Sequence, residues 1–122
     1  MSREENLNTL KEIYDLTREK NWNQYDAPPM PETVMRRTFD IITELDEEHQ
    51  PESIHPTAME SIQIEYESGS TPNDGIYLEF NIFKNHIQGY VHLRDKGFKN
   101  DRLLGFTSEC IKNYVDEYYL SK

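Results

Sequence analysis

In three runs between Ile62 and Leu93 apolar residues recur at alternate positions, and no other feature of the chain restricts its fold so strongly. In "IQIEYES" Ile62, Ile64 and Tyr66 alternate with Gln63, Glu65 and Glu67. In "IYLEFNIF" Ile76, Leu78, Phe80 and Ile82 alternate with Tyr77, Glu79, Asn81 and Phe83. In "IQGYVHL" Ile87, Val91 and Leu93 alternate with Gln88, Tyr90 and His92. A period of two sends successive side chains to opposite faces of a strand, so these runs predict three strands, each with one apolar and one polar face. "GSTPNDG" reads as a turn by composition, and Lys84–Asn85 as a two-residue hairpin loop. That loop places Ile82 opposite Ile87 and Leu78 opposite Val91, apolar against apolar. A hairpin closed around Pro72 places Glu65 opposite Glu79 on the other face, with Tyr90 next across.

Helical spacing flanks the strands. Ser2 and Glu5 have the spacing of a capping box, and Leu7, Leu10, Ile13, Tyr14 and Thr17 follow at intervals of three or four, which predicts an amphipathic helix ending near Trp22. Pro28, Pro29 and Pro31 require extended backbone, and Pro31 can open a second helix, "PETVMRRTFDIITEL", with Val34, Met35, Phe39, Ile41, Ile42 and Leu45 as its apolar stripe. Trp22 and Tyr25 stand between the two helices and are expected to pack into the connection and fix the angle between them. After a basic, glycine-containing loop over 94–102, Thr107 can cap a last helix. Its stripe is Cys110, Ile111, Tyr114, Val115, Tyr118 and Leu120, and Phe106 and Ile111 have the spacing of a hydrophobic staple. Cys110 on that stripe reads as a core residue. "PESIHPTAME" is suited to a short edge strand, where proline is tolerated. The expected architecture is α+β within one domain spanning 1–122: two N-terminal helices, an antiparallel meander of three to four strands, and a C-terminal helix, with the helices on one face of the sheet.

Hydrophobic residues make up 35% of the chain and charged residues 30%, a wet composition that raises the question of disorder. Fourteen aromatic residues and the regular apolar patterns argue for a folded domain. A single cysteine excludes an intramolecular disulfide framework. "MSREENLNTL" has no apolar run behind a basic start, and no stretch approaches the roughly 18 apolar residues of a membrane span. A soluble, unprocessed cytoplasmic protein is expected.

"NWNQYDAPP", the "PET" that opens a helix, "HPTAMESIQIEYE" and "YLEFNIF" together resemble a widespread family of small proteins of bacteria and their phages, over residues 20–93. Asp26 stands where that pattern commonly has glycine, and the loop 68–75 is longer than usual. The resemblance implies a prokaryotic or phage origin and an α+β fold, and it brings no catalytic residues with it.

The residues contain little chemistry that can be recognised by spacing. His49, His55, His86 and His92 show no H-x-x-x-H arrangement, and there is no C-x-x-C, phosphate-binding glycine loop or nucleophile elbow, so neither a metal nor a cofactor is expected. The facing carboxylates Glu65 and Glu79 are the best enzymatic candidates, since like charges in apposition separate acid and base roles. On an open, wet sheet they read instead as a contact surface. Charge layout is more informative. Between Arg37 and Lys84 lie eleven acids in forty-six residues with no lysine or arginine, whereas Lys84, Arg94, Lys96, Lys99 and Arg102 follow with only Asp95 and Asp101 among them. The net charge of −10 opposes direct contact with nucleic acid.

Aromatics interleaved with acids on a flat face suit a protein partner of opposite charge. The leading expectation is therefore a non-enzymatic protein that binds and inhibits or regulates a basic, nucleic-acid-binding protein, as an anti-CRISPR or other anti-defence inhibitor, an antitoxin or an immunity protein would. Its expected contact residues are Asp46, Glu47, Glu48, Glu65, Glu67, Tyr77, Glu79, Tyr90 and His92. A module that self-associates as a homodimer through its sheet edge is the second expectation, and an acid–base hydrolase using Glu65 and Glu79 the third.

Overall fold

A computed structural model describes residues 2–24, 27–69, 75–105 and 107–120. Tyr25, Asp26, Pro72, Asp74 and Phe106, and with them the turn over 70–74 and the staple, lie outside the described residues.

Helix α1 runs Arg3–Leu16. Ser2 caps it: the Ser2 hydroxyl accepts from the Glu5 amide and the Glu5 carboxylate accepts from the Ser2 amide. This reciprocal bonding holds the Glu5 carboxyl below its usual range, the Ser2 backbone being the main cause. The helix stops six residues before Trp22: Thr17, its last residue to bond back to the Ile13 carbonyl, caps it, and the polar stretch beyond turns. Asn21 and Gln24 there take left-handed backbone angles. Trp22 is half-buried and donates its indole N–H to the Pro28 carbonyl at 2.8 Å. It braces the connection from outside, Ala27 and Met30 are the buried apolar residues of the connection, at 3% and 7% exposure, and Met30 joins the core cluster.

Helix α2 spans Glu32–Glu44 and begins directly after Pro31. A short 3₁₀ turn, Glu47–His49, leads into the sheet. The strands are β1 Ser53–Pro56, β2 Ile62–Ser68, β3 Ile76–Ile82, β4 Ile87–Leu93 and β5 Phe98–Leu104, antiparallel throughout in the order β1-β2-β3-β4-β5. Helix α3, Ser108–Val115, continues into a π-helical turn, Asp116–Leu120. Ile82 pairs with Ile87, Leu78 with Val91 and Glu65 with Glu79, as the alternation requires.

The strand count is five, not three to four. "SIHP" does form the edge strand β1, and the 94–102 segment is not a loop. Gly97, with φ +63°, ends a 3₁₀ turn at Arg94–Lys96, and the chain returns as β5 along the free edge of β4. "FKNDRLL" has no apolar alternation because it lies at the sheet margin with most of its side chains exposed. Backbone pairing rather than side-chain burial makes it a strand.

One core unites these layers. Leu10 and Ile13 of α1, Val34, Met35, Ile41 and Ile42 of α2, the inward residues of β1 to β4, and Ile111, Tyr114 and Val115 of α3 form a continuous buried cluster on one side of the sheet. Gly89 occupies an inward position opposite Phe80, and the space a side chain would take is filled by Phe80 and Leu104. Cys110 is half-buried and lies outside this cluster, with Sγ beside Gly105 and the Thr107 hydroxyl. Leu120, 40% exposed, also lies outside the core. None of the described helices is long and apolar enough to cross a membrane.

Candidate functional site

The alternation that buries Ile64, Leu78 and Val91 sends Glu65, Glu79 and Tyr90 to the opposite face, and strand pairing sets them side by side. Glu65 faces Glu79, Glu79 faces Tyr90, Glu67 faces Tyr77, and Tyr77 faces His92. Two carboxylates in direct apposition destabilise a sheet unless donors lie between them. Tyr77 supplies one: its hydroxyl lies 2.8 Å from Glu79 Oε1 and 3.1 Å from Glu65 Oε2. The outer oxygens are held from along each strand, Gln63 Nε2 donating to Glu65 Oε1 at 3.0 Å and Asn81 Nδ2 to Glu79 Oε2 at 2.8 Å. From β1, His55 Nε2 comes within 2.6 Å of Glu65 Oε1. The Tyr77 and Tyr90 rings meet edge to face with centroids 6.1 Å apart.

Partial burial pushes the Tyr77 hydroxyl well above its ordinary pKa, and the bond and charge of Glu79 and then Glu65 push it further. Tyr77 therefore remains a donor through the whole neutral range. With only one proton it serves one carboxylate at a time, so the pair shares a single phenolic hydrogen. The result is a fixed anionic bar, half-buried at its base and open above, flanked by Tyr90 and His92. It can accept hydrogen bonds from guanidinium or ammonium groups.

Six of the expected contact residues, Glu65, Glu67, Tyr77, Glu79, Tyr90 and His92, thus share one face. Asp46, Glu47 and Glu48 do not. The buried Tyr66 hydroxyl, on the inner face, donates to the His49 carbonyl at 2.6 Å, which fixes the 3₁₀ turn on the helix side of the sheet. Glu47 is drawn to α1, its carboxylate 3.6 Å from the Arg3 guanidinium. A flat partner on the sheet cannot reach both sets.

The charge separation along the chain also shrinks on folding. Antiparallel pairing lays Lys99 beside His92 and Asp101 beside Tyr90, and Arg94 reaches Glu67 at 3.0 Å. The acidic hairpin is bordered by the basic segment rather than standing apart from it. What motif reasoning missed was His49: residues 46–49 carry no spacing between histidines, and their convergence with Asp116 depends on the fold.

Among the clefts that lie elsewhere, two border the sheet turn and the helices. One, about 680 Å³, opens at the β3–β4 turn between Met30, Pro31, Met59, Phe83 and His86. The other, about 350 Å³, lies between α2 and the start of α3, with Arg36, Asp40, Glu44 and Thr107 around it. Neither is lined by Glu65 or Glu79.

No protein-family model, no curated protein and no solved structure matches the chain.

Proposed function

We propose that this chain is a non-enzymatic interaction protein whose outer sheet face docks onto a cationic surface of another protein. The observation that carries this reading is the Glu65–Glu79 pair, held rigid by Tyr77 on an open face. Two anions prepositioned beside aromatic rings, outside the clefts described above, suit arginine-rich protein surfaces better than a small substrate. In the prokaryotic or phage setting that the resemblance implies, the fitting partner is a nucleic-acid-binding protein whose phosphate site the carboxylates occupy, the role of an anti-CRISPR or other anti-defence inhibitor, an antitoxin or an immunity protein.

The test is titration with an arginine-rich peptide at two salt concentrations, using wild type, the double variant Glu65→Gln/Glu79→Gln, and Gln88→Ala as a control on the same face. Gln63 is unsuitable as a control because it holds Glu65. Affinity that falls with salt and falls further in the double variant, with the control unchanged, supports docking through the pair. Equal affinities for all three proteins rule it out.

A second reading rests on β5. In the strand order it has a neighbour on one side only, and Phe98 and Leu103 are 40% and 71% exposed. Two β5 strands placed antiparallel with Asn100 opposite Asn100 set Lys99 against Asp101 twice and Phe98 against Arg102 twice, which favours a homodimer with a continuous sheet. Sedimentation over a range of concentrations tests it: Asn100→Pro abolishes a dimer built this way, and a wild type that stays monomeric excludes it.

A further inference from the structure

Asp46, Glu48 and His49 each offer one potential ligand atom, and the three atoms lie within 4.8 Å of one another. Two acids on an exposed turn are ordinary; the histidine makes this group unusual. His49 is only 2% exposed, and its two ring nitrogens meet opposite situations. Nε2 lies 2.7 Å from Asp116 Oδ1 in the π-helical turn. An ionised carboxylate only accepts, so the hydrogen of that bond sits on Nε2. In the neutral ring Nδ1 is then a bare lone pair. It is enclosed, has no hydrogen-bond partner among the described residues, and faces Asp46 Oδ2 at 3.7 Å and Glu48 Oε1 at 3.9 Å. A lone pair and two anionic oxygens point at one another beyond hydrogen-bond reach, an arrangement that is repulsive by itself and favourable around a cation.

We propose that Asp46, Glu48 and His49 form a binding site for a divalent transition-metal ion of the zinc class, with Asp116 as the positioning residue behind the imidazole. Zinc bonds of about 2.0–2.2 Å in tetrahedral geometry set neighbouring ligand atoms about 3.3–3.5 Å apart. The two spacings to His49 Nδ1, 3.7 and 3.9 Å, are a few tenths of an ångström wider, and all three atoms lie within 4.8 Å of one another. The Asp46 and Glu48 side chains are 61% and 72% exposed and can close that difference by small rotations. The Asp116 contact is the arrangement expected behind a metal-bound histidine, whose other N–H is donated to a carboxylate so that tautomer and ring orientation are fixed. One imidazole with two carboxylates selects zinc, nickel or copper over magnesium and calcium, and the outer coordination position stays open to water or to a partner's side chain.

The turn is also held in place beforehand. Its His49 carbonyl accepts from Tyr66, and Gln50 donates to the Ile42 and Leu45 carbonyls at 2.8 and 2.9 Å. Asn6 in turn donates to the Gln50 side chain at 2.9 Å. The backbone beneath the ligands therefore need not be ordered when the ion arrives.

The experiment is a zinc titration of the full chain followed by calorimetry and by ¹⁵N NMR of the histidine rings, repeated with calcium and magnesium. The expected result is one zinc ion per chain, with His49 Nδ1 moving to the position of a ligated nitrogen while Nε2 keeps its hydrogen. Calcium and magnesium should leave the His49 ring unshifted. Because His49 is buried, the variants are made at the exposed ligands. Asp46→Asn/Glu48→Gln is expected to weaken zinc binding at least about tenfold with the metal-free melting temperature not lowered, since the repulsion around Nδ1 is relieved. Asp116→Asn is expected to weaken it about 10–100-fold. The proposal is overturned if the double variant binds zinc as well as wild type, if the ring that shifts is His55, His86 or His92, or if both His49 nitrogens stay protonated in excess zinc. The last result identifies an imidazolium held in an acidic cage.

Discussion

The Tyr77 hydroxyl lies 2.8 Å from Glu79, its neighbour two residues along the same strand and therefore on the same face of the sheet. Because the same oxygen also reaches Glu65 at 3.1 Å across the strand pair, one side chain converts a repulsive cross-strand contact into a bonded one. Removing it exposes the repulsion.

Tyr77→Phe keeps the ring and its packing on Tyr90 but leaves Glu65 and Glu79 facing each other without their shared donor. Hydrogen bonds to charged groups contribute about 1.5–3 kcal/mol, and partial exposure here places the loss near about 1–2 kcal/mol. Urea unfolding of the two proteins measures it. Restoring stability by adding Glu79→Gln to the variant identifies the carboxylate pair as the cause.

Alkaline stability follows from the tyrosines. Burial, and then a bond to Glu52, push the Tyr119 hydroxyl up to about 12 from its ordinary value near 10, and Tyr66 and Tyr77 are shifted in the same direction, mainly by burial. A folded-state pKa above the unfolded one contributes stability that is fully present below about pH 10 and is lost as pH rises toward the folded value. The melting temperature should therefore change little from pH 8 to 10 on account of these groups and fall between pH 10 and 12. Tyr119→Phe should make that fall shallower, which a thermal scan at each pH reads directly.

The space over Gly89 is already taken: a methyl group there would lie 3.0 Å from Leu104 Cδ1 and 3.5 Å from Phe80 Cδ1. Gly89→Val overpacks the sheet's inner face and should destabilise by about 1–3 kcal/mol. Phe80→Ala, which empties the same region from the other side, should destabilise by about 3–5 kcal/mol. In the double variant the two losses should sum to less than their separate values, a coupling that a double-mutant cycle measures.

The connection between α1 and α2 separates two kinds of residue. Trp22→Phe removes one half-exposed hydrogen bond, to Pro28, and is expected to lower stability by about 0.5–1.5 kcal/mol. Met30→Ala empties a core position and should lower it by about 2–5 kcal/mol. Chemical denaturation that ranks Trp22 above Met30 would contradict the placement of both.

Strands β2 to β4, their register and the apposition of Glu65 with Glu79 were legible in the sequence because burial on one face forces a period of two, and a register slip would turn Ile64 or Leu78 toward water. The edge strand β1 was legible through the proline that an edge tolerates. β5 was not, because side-chain pattern reports burial and this strand buries little. The early end of α1 was hidden for a related reason: Thr17 is buried and fits the apolar stripe, so the stripe runs up to the cap and does not mark where the helix ends. Charge layout misled in another way. Distance along the chain says nothing about a neighbour across a strand pair, so Arg94 beside Glu67, and Asp116 beside His49, emerge only from the folded chain.

Every strand of the sheet lies beside its neighbour in the sequence, so the sheet can assemble in the order of synthesis, each new strand adding to an edge already formed and closing only a local loop. His49 does not share this independence. Asp116 stands sixty-seven residues beyond it, past all five strands and α3. While the chain emerges from the ribosome, the Nε2 hydrogen cannot meet the Asp116 carboxylate until nearly the whole described chain has been made. Among the described contacts of His49, this is the one that closes the longest stretch of chain, joining the turn before the sheet to the end of the last helix.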